Sequence, residues 1–203
     1  MHVTKRQFIK TISVGSAAAL LPAWVFASEK QTADPVKRII LDSDTATDDA
    51  LAVLMAVTSP RLKVEAITIT CGNVGFDQQT KNALYTLELA GKSGQIPVYQ
   101  GSARPLVRQV HGNATYVHGS DGMSDAHFPD PKQKPDKEHA VDAIVRLVNA
   151  NPGELTIVAI GPLTNVALAL LKDPTIAKKI KELYFMGGFY KFYGNINPGA
   201  TYN

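Results

Sequence analysis

The chain has 203 residues, 45% of them hydrophobic and 19% charged, a composition that suits one globular core and excludes a disordered or coiled-coil protein. Its formal charge of +3 comes entirely from Lys5, Arg6 and Lys10 within the first 27 residues; beyond Ala27, 18 basic residues face 18 acidic ones. That balance leaves no basic footprint, so no nucleic-acid partner is expected.

Residues 1–27 combine a basic start, an apolar run from Ile12 to Phe26, and Val25-Phe26-Ala27 as a small-residue cleavage site before Ser28. This is the pattern of a removable export signal. Thr4 to Lys10 resembles a twin-arginine signal with lysine in the first arginine place, which leaves the export route open. An apolar run of about 15 residues is short for a membrane span. The mature chain is therefore expected in the periplasm, with no stable membrane anchor after cleavage.

A polar linker occupies residues 28–37, and the remainder, 38–203, alternates extended and helical patterns. Strands are expected over Arg38 to Leu41, Val64 to Thr70, Pro97 to Tyr99, Leu155 to Ile160 and Glu182 to Met186. Helices are expected over Asp49 to Thr58, Asp77 to Ala90, His139 to Asn151 and Leu163 to Lys172, where apolar residues recur three and four apart. Such alternation predicts an α/β fold, a mostly parallel sheet flanked by helices. Cys71, the single cysteine, lies in ITITCGN and reads as a small buried residue at a strand end, not a nucleophile. From Gly101 to Lys137 no period is evident. A long irregular excursion of this kind is usually functional or mobile, and His118-Gly119-Ser120-Asp121-Gly122 at its centre favours function.

Four aspartates, Asp42, Asp44, Asp48 and Asp49, crowd into eight positions behind the first strand. In an open α/β sheet, ligands gather where strands deliver their carboxyl ends. Acids at a helix start are favoured by the helix dipole, each by about 0.3–1 kcal/mol. Capping of that kind, with Thr47 in an N-cap-like role, accounts for Asp48 and Asp49. It does not account for Asp42 and Asp44, because crowded carboxylates raise one another's pKa unless a cation intervenes. Carboxylates without nearby His or Cys point to Ca2+ or Mg2+ rather than zinc.

Two families resemble this stretch. A strand followed by Asp-x-Asp is similar to the first motif of haloacid-dehalogenase-type phosphatases, with Asp42 as nucleophile. DSDTATDDALAV more closely resembles the amino-terminal signature of the inosine/uridine-preferring nucleoside hydrolases, with Thr45-Ala46 in place of Pro-Gly. The likeness continues in order. Thr70-Cys71-Gly72-Asn73, the His118 loop, Gly161-Pro162-Leu163-Thr164-Asn165, Met186-Gly187-Gly188, Gly194-Asn195 and Tyr202-Asn203 each match a segment of that family.

The resemblance implies a Rossmann-like nucleoside hydrolase fold and Ca2+-dependent cleavage of ribonucleosides to base and ribose. It implies Ca2+ ligation by Asp44, Asp49 and the backbone carbonyl of Ile160, with Asp44 also taking a proton from the attacking water. Asp48 would hold the ribose 2′-hydroxyl, Asn73 and Asn195 sugar hydroxyls, Asn203 the 5′ end, and His118 would face the base. Assembly into a homo-oligomer is likewise implied by the family alone.

Two departures qualify the match. Thr201 stands where the family has Glu, although its hydroxyl could still bond a sugar oxygen. The chain also stops at Asn203, where family members continue into a segment carrying a His-Asp pair. The expectation is a carboxy-terminally incomplete member with an unpaired sheet edge and weak or absent activity alone. A non-catalytic nucleoside or ribose binder is the principal alternative.

Overall fold

The computed structural model describes residues 35–108, 112–188, 194, 201 and 203, so residues 1–34, where an export signal is expected, and Asn195 lie outside the described residues. Pro35 to Asn203 forms a unit of its own. Among the described residues, no helix is long and apolar enough to cross a membrane.

Strand β1 (Lys37–Ser43) is followed by helix α1 (Thr47–Thr58), strand β2 (Leu62–Ile69) and helix α2 (Phe76–Leu89). Strand β3 (Val98–Gln100), the one-turn helix α3 (Thr115–His118) and helix α4 (Ala140–Ala150) come next. Strand β4 (Leu155–Ala159), helix α5 (Thr164–Lys172), a 3-10 turn over Pro174–Lys178 and strand β5 (Glu182–Phe185) complete the described elements. All five strands are parallel, in the order β3-β2-β1-β4-β5.

The pleat sends alternate residues of β1 to opposite faces. Ile39 and Leu41 join a core with Val53 and Val57 of α1 and Leu84 and Leu87 of α2. Ile40 joins the opposite core with Ile144 of α4, Ile157 of β4 and Val166 of α5. Both faces of β1 are thus covered, which is why Ile39-Ile40-Leu41 is a continuous apolar run and not an alternating one. On edge strand β5, Leu183, Tyr184 and Phe185 are all exposed.

Connections from β1 run outward to β2 and β3 on one side, then return to β4 and β5 on the other. The reversal opens a crevice beyond the carboxyl ends of β1 and β4, the usual ligand position in such sheets. There the Ile160 N–H donates to the Asp42 carbonyl at 2.8 Å, extending the β1–β4 ladder into the loop.

Strand β1 runs two residues past its expected end, and this moves Asp42 off the site edge. It sits inside the sheet opposite Thr68 and Ala159, fully buried. Thr47 is helical rather than the N-cap. Ala46 holds that position, and its N–H donates to Asp49 Oδ2 at 3.1 Å.

Asn165, at the start of α5, ties this corner together. Its Nδ2 donates to Asp42 Oδ1 at 2.8 Å and to the Ile69 carbonyl at 3.0 Å, while its Oδ1 accepts from Ser102 N–H at 2.9 Å. Three strand ends therefore depend on one buried amide. Asn165→Ala orphans those groups and is expected to destabilise the fold by about 3 kcal/mol, read as a lower urea midpoint at unchanged m-value. A midpoint equal to that of the parent chain contradicts this role.

Candidate active site

A cavity of about 530 Å³ opens at the carboxyl end of the sheet, lined among others by Asp44, Asp48, Asp49, Asn73, His118, Ile160 and Asn203. That is the size of a small-ligand pocket. Each wall comes from a different connection: β1–α1 gives the aspartates, β2–α2 gives Asn73, the long excursion gives His118, and β4–α5 gives Ile160.

Asp44 and Asp49 are both buried. Asp44 Oδ2 accepts from Asn73 N–H at 3.1 Å. Asn73 Nδ2 donates to the Asp44 carbonyl at 3.2 Å and to Asp49 Oδ2 at 3.0 Å, so one amide joins both acids. Ser43 Oγ donates to Asp49 Oδ1 at 3.3 Å. Asp48 lines the same cavity from the solvent side and is exposed.

Space around Asp44 is reserved by glycine. A Cβ on Gly72 would stand 1.8 Å from Asp44 Oδ2, and one on Gly161 would stand 2.8 Å from Oδ1. Any side chain at Gly72 would displace the carboxylate.

Among the described residues, no Lys or Arg ion pair offsets these acids. Burial is the main cause of the rise in Asp44 pKa, reinforced by the Asp49 charge, and burial likewise raises Asp49. Asp42 is pushed up to about 7 by burial, against hydrogen bonds from Thr68 and Asn165. Its Oδ2 is buried with no hydrogen-bond partner. Asp42 does not line the cavity, so it cannot serve as the nucleophile a phosphatase reading requires.

His118 is buried at the cavity wall. Its Nδ1 lies 2.6 Å from Thr47 Oγ1, and its Nε2 lies 3.9 Å from Asp48 Oδ1. The loop is anchored by Ala114 N–H donating to the Asn73 carbonyl at 2.7 Å. Asn82 of α2 holds it further along, donating to the carbonyls of Thr45 at 3.1 Å and Asp121 at 2.9 Å.

Asn203 Nδ2 donates to the Ile160 carbonyl at 2.7 Å, so the two residues meet directly at the cavity wall. Thr201 Oγ1 accepts from Gly188 N–H at 3.0 Å and donates to the Asn203 carbonyl at 3.1 Å. Its hydroxyl is engaged within its own segment instead of being free for a sugar. Asp44, Asp48, Asp49, Asn73, His118, Ile160 and Asn203 are thus brought together, while Asn195 lies outside the described residues. Sequence reasoning missed Thr47 as the partner of His118 and Asn165 as a clamp. Tyr116 carried no signal, and Val117 and Met186, though in segments that match the family, were not expected on the rim.

The profile of the inosine-uridine preferring nucleoside hydrolase family matches residues 39–203. The chain is 39% identical to uridine nucleosidase 1 of Arabidopsis thaliana, over 82% of this chain and 49% of that protein. It is 40% identical to the inosine-uridine preferring nucleoside hydrolase of Leishmania major, over 82% of this chain and 53% of that one. Among solved structures, a plant nucleoside hydrolase superposes with a TM-score of 0.78 at 41% identity, covering 83% of this chain and 53% of the other. A purine-preferring ribonucleoside hydrolase from Gardnerella vaginalis also superposes with a TM-score of 0.78, at 36% identity, covering 82% and 54%. The chain spans about half the length of the curated relatives it matches.

The carboxylate pair sets a pH dependence. A carboxyl group whose pKa rises on folding keeps its proton longer in the folded state, so its stabilising contribution is full below its unfolded value and lost as pH rises. Here the loss begins near the ordinary aspartate value of ~3.9 and extends to about 8, the value to which Asp44 is pushed. Cation-free protein is expected to melt at falling temperature between about pH 5 and about pH 8, with added Ca2+ restoring more at the higher pH. Melting that is flat with pH and indifferent to Ca2+ contradicts this.

Proposed function

The chain belongs to the inosine-uridine preferring nucleoside hydrolase family, and from that membership we propose that its cavity serves hydrolysis of the N-glycosidic bond of ribonucleosides, giving free base and ribose. The observation that carries this reading is the convergence of Asp44, Asp48, Asp49, Asn73 and His118 on one nucleoside-sized cavity at the sheet's switch point.

The donor set fits a hard divalent cation, and we assign Ca2+. Asp44, Asp49 and the Ile160 carbonyl offer only oxygen, and among the described residues no ion pair offsets the two buried carboxylates. Waters and ligand hydroxyls would complete the six to eight oxygens that calcium prefers. When bound, the ion supplies the Lewis acidity that makes a water nucleophilic near neutral pH.

Asp44, held by Asn73 and enclosed by Gly72 and Gly161, accepts the proton of the attacking water as its oxygen bonds C1′ through an oxocarbenium-like transition state. The C1′–N bond breaks with its electron pair going to the base, which takes a proton from solvent. Asp48 accepts from the ribose 2′-hydroxyl. Both donors of Asn73 Nδ2 are spent on Asp44 and Asp49, which leaves its carbonyl oxygen to accept from a sugar hydroxyl. Asn203 stands toward the 5′ end, and His118 faces the base. Export to the periplasm belongs to the same reading, supported by the basic and apolar pattern of residues 1–27.

A binding-only role has one observation in its favour. Among the described residues, no group of three His, Cys, Asp or Glu side chains could hold a metal ion. Ribose release and nucleoside binding, measured together on the purified chain with Ca2+, separate the two. Ribose release that EDTA and Asp44→Asn abolish supports hydrolysis. Binding without release assigns the binder, and absence of both overturns the reading. In the binding arm, Asp48→Ala is expected to weaken uridine by tenfold to a hundredfold, as for loss of a hydrogen bond to a charged group. Binding of 2′-deoxyuridine should not change. Equal loss for both ligands would remove the 2′-hydroxyl role from Asp48.

A further inference from the structure

Thr47 makes one contact that neither helix propensity nor capping accounts for. It stands in the first turn of α1, yet its Oγ1 lies 2.6 Å from Nδ1 of His118, 71 residues further along the chain. His118 is 8% exposed, so the ring has little freedom, and its other nitrogen borders the cavity.

A neutral imidazole carries one proton, and its position follows from the partner each nitrogen meets. A hydroxyl can donate or accept, so Thr47 permits either tautomer. The Nε2 side decides. It lies 3.9 Å from Asp48 Oδ1, a carboxylate oxygen that accepts and does not donate when ionised. A ring edge facing a carboxylate favours the N–H there, which leaves Nδ1 bare to accept from Thr47.

We propose that Thr47 is a positioning residue: its hydroxyl donates to His118 Nδ1, locks the ring as the Nε2–H tautomer, and aims a fixed N–H donor into the cavity. Such a donor selects ligands that present a lone pair at that wall, a carbonyl oxygen or bare ring nitrogen of a base. This last step rests on the nucleoside reading; the tautomer does not. The arrangement also couples two distant segments, because the loop that carries His118 is registered against the same helix start that carries Asp48 and Asp49.

The test is the His118 ring in long-range ¹H–¹⁵N spectra of the full chain labelled with ¹⁵N-histidine, recorded near pH 8.5, well above the ordinary histidine value of ~6.5. Assignment comes from the signal lost in His118→Asn. The parent chain is expected to show the Nε2–H tautomer, Thr47→Ser to keep it, and Thr47→Val to shift toward a mixture. Uridine binding with Ca2+ should weaken about tenfold in Thr47→Val and stay within about twofold of the parent in Thr47→Ser. An Nδ1–H tautomer in the parent chain, or a Thr47→Val ring identical to the parent, overturns the proposal. If Thr47→Val does not fold, the parent tautomer decides alone. A parent chain with the expected tautomer that binds no nucleoside counts against the nucleoside reading and leaves the positioning role standing.

Discussion

Like charge held out of water is the constraint on which the rest of this structure turns. Asp44, just past the end of β1, and Asp49, in the first turn of α1, are both buried, with Asp42 buried in the strand before them. Desolvated carboxylates are costly unless protonated, hydrogen-bonded or paired with a cation. The fold supplies the second remedy in part, through Asn73, Ser43 and the Ala46 N–H. Donors shared between two acids cannot neutralise them, and that shortfall is what the proposed divalent ion would offset.

The scaffold holds the acids against their repulsion by fixing the strand ends around them. The switch point places the end of β1 beside that of β4, and backbone bonds from Ile160 to Asp42 close the gap. Asn165 reaches across from α5 to link Asp42 with the ends of β2 and β3. Gly72 and Gly161 let two further backbones approach the Asp44 carboxylate. Asp42 serves this framework as an acceptor for Thr68 and Asn165, not as a reacting group.

Much of this was legible in the sequence. Every strand and longer helix appears within two residues of its expected bounds, because apolar alternation and helical periodicity register burial directly. The clustering of Asp44, Asp48 and Asp49 was legible for a different reason, their crowding within one short stretch behind a strand, whereas Asp42, expected with them at the site edge, lies inside the sheet. What escaped is of another kind. Thr47 resembled an N-cap because Thr favours that position, but Asp49 already takes up the N–H of Ala46, and the hydroxyl is left to His118. Asn165 stood out only as the end of a family-like segment, because a buried amide linking three strand ends carries no period. The hydroxyl of Thr201 was open to a sugar on paper, and local geometry turns it inward.

A crystal structure of the chain grown with Ca2+ and ribose tests the central claim most directly. The account predicts one ion between Asp44 and Asp49, touching the Ile160 carbonyl, with Asp48 on the ribose 2′-hydroxyl. An ion bound elsewhere, or ribose seated away from Asp48 with the acid pair bare, would contradict it.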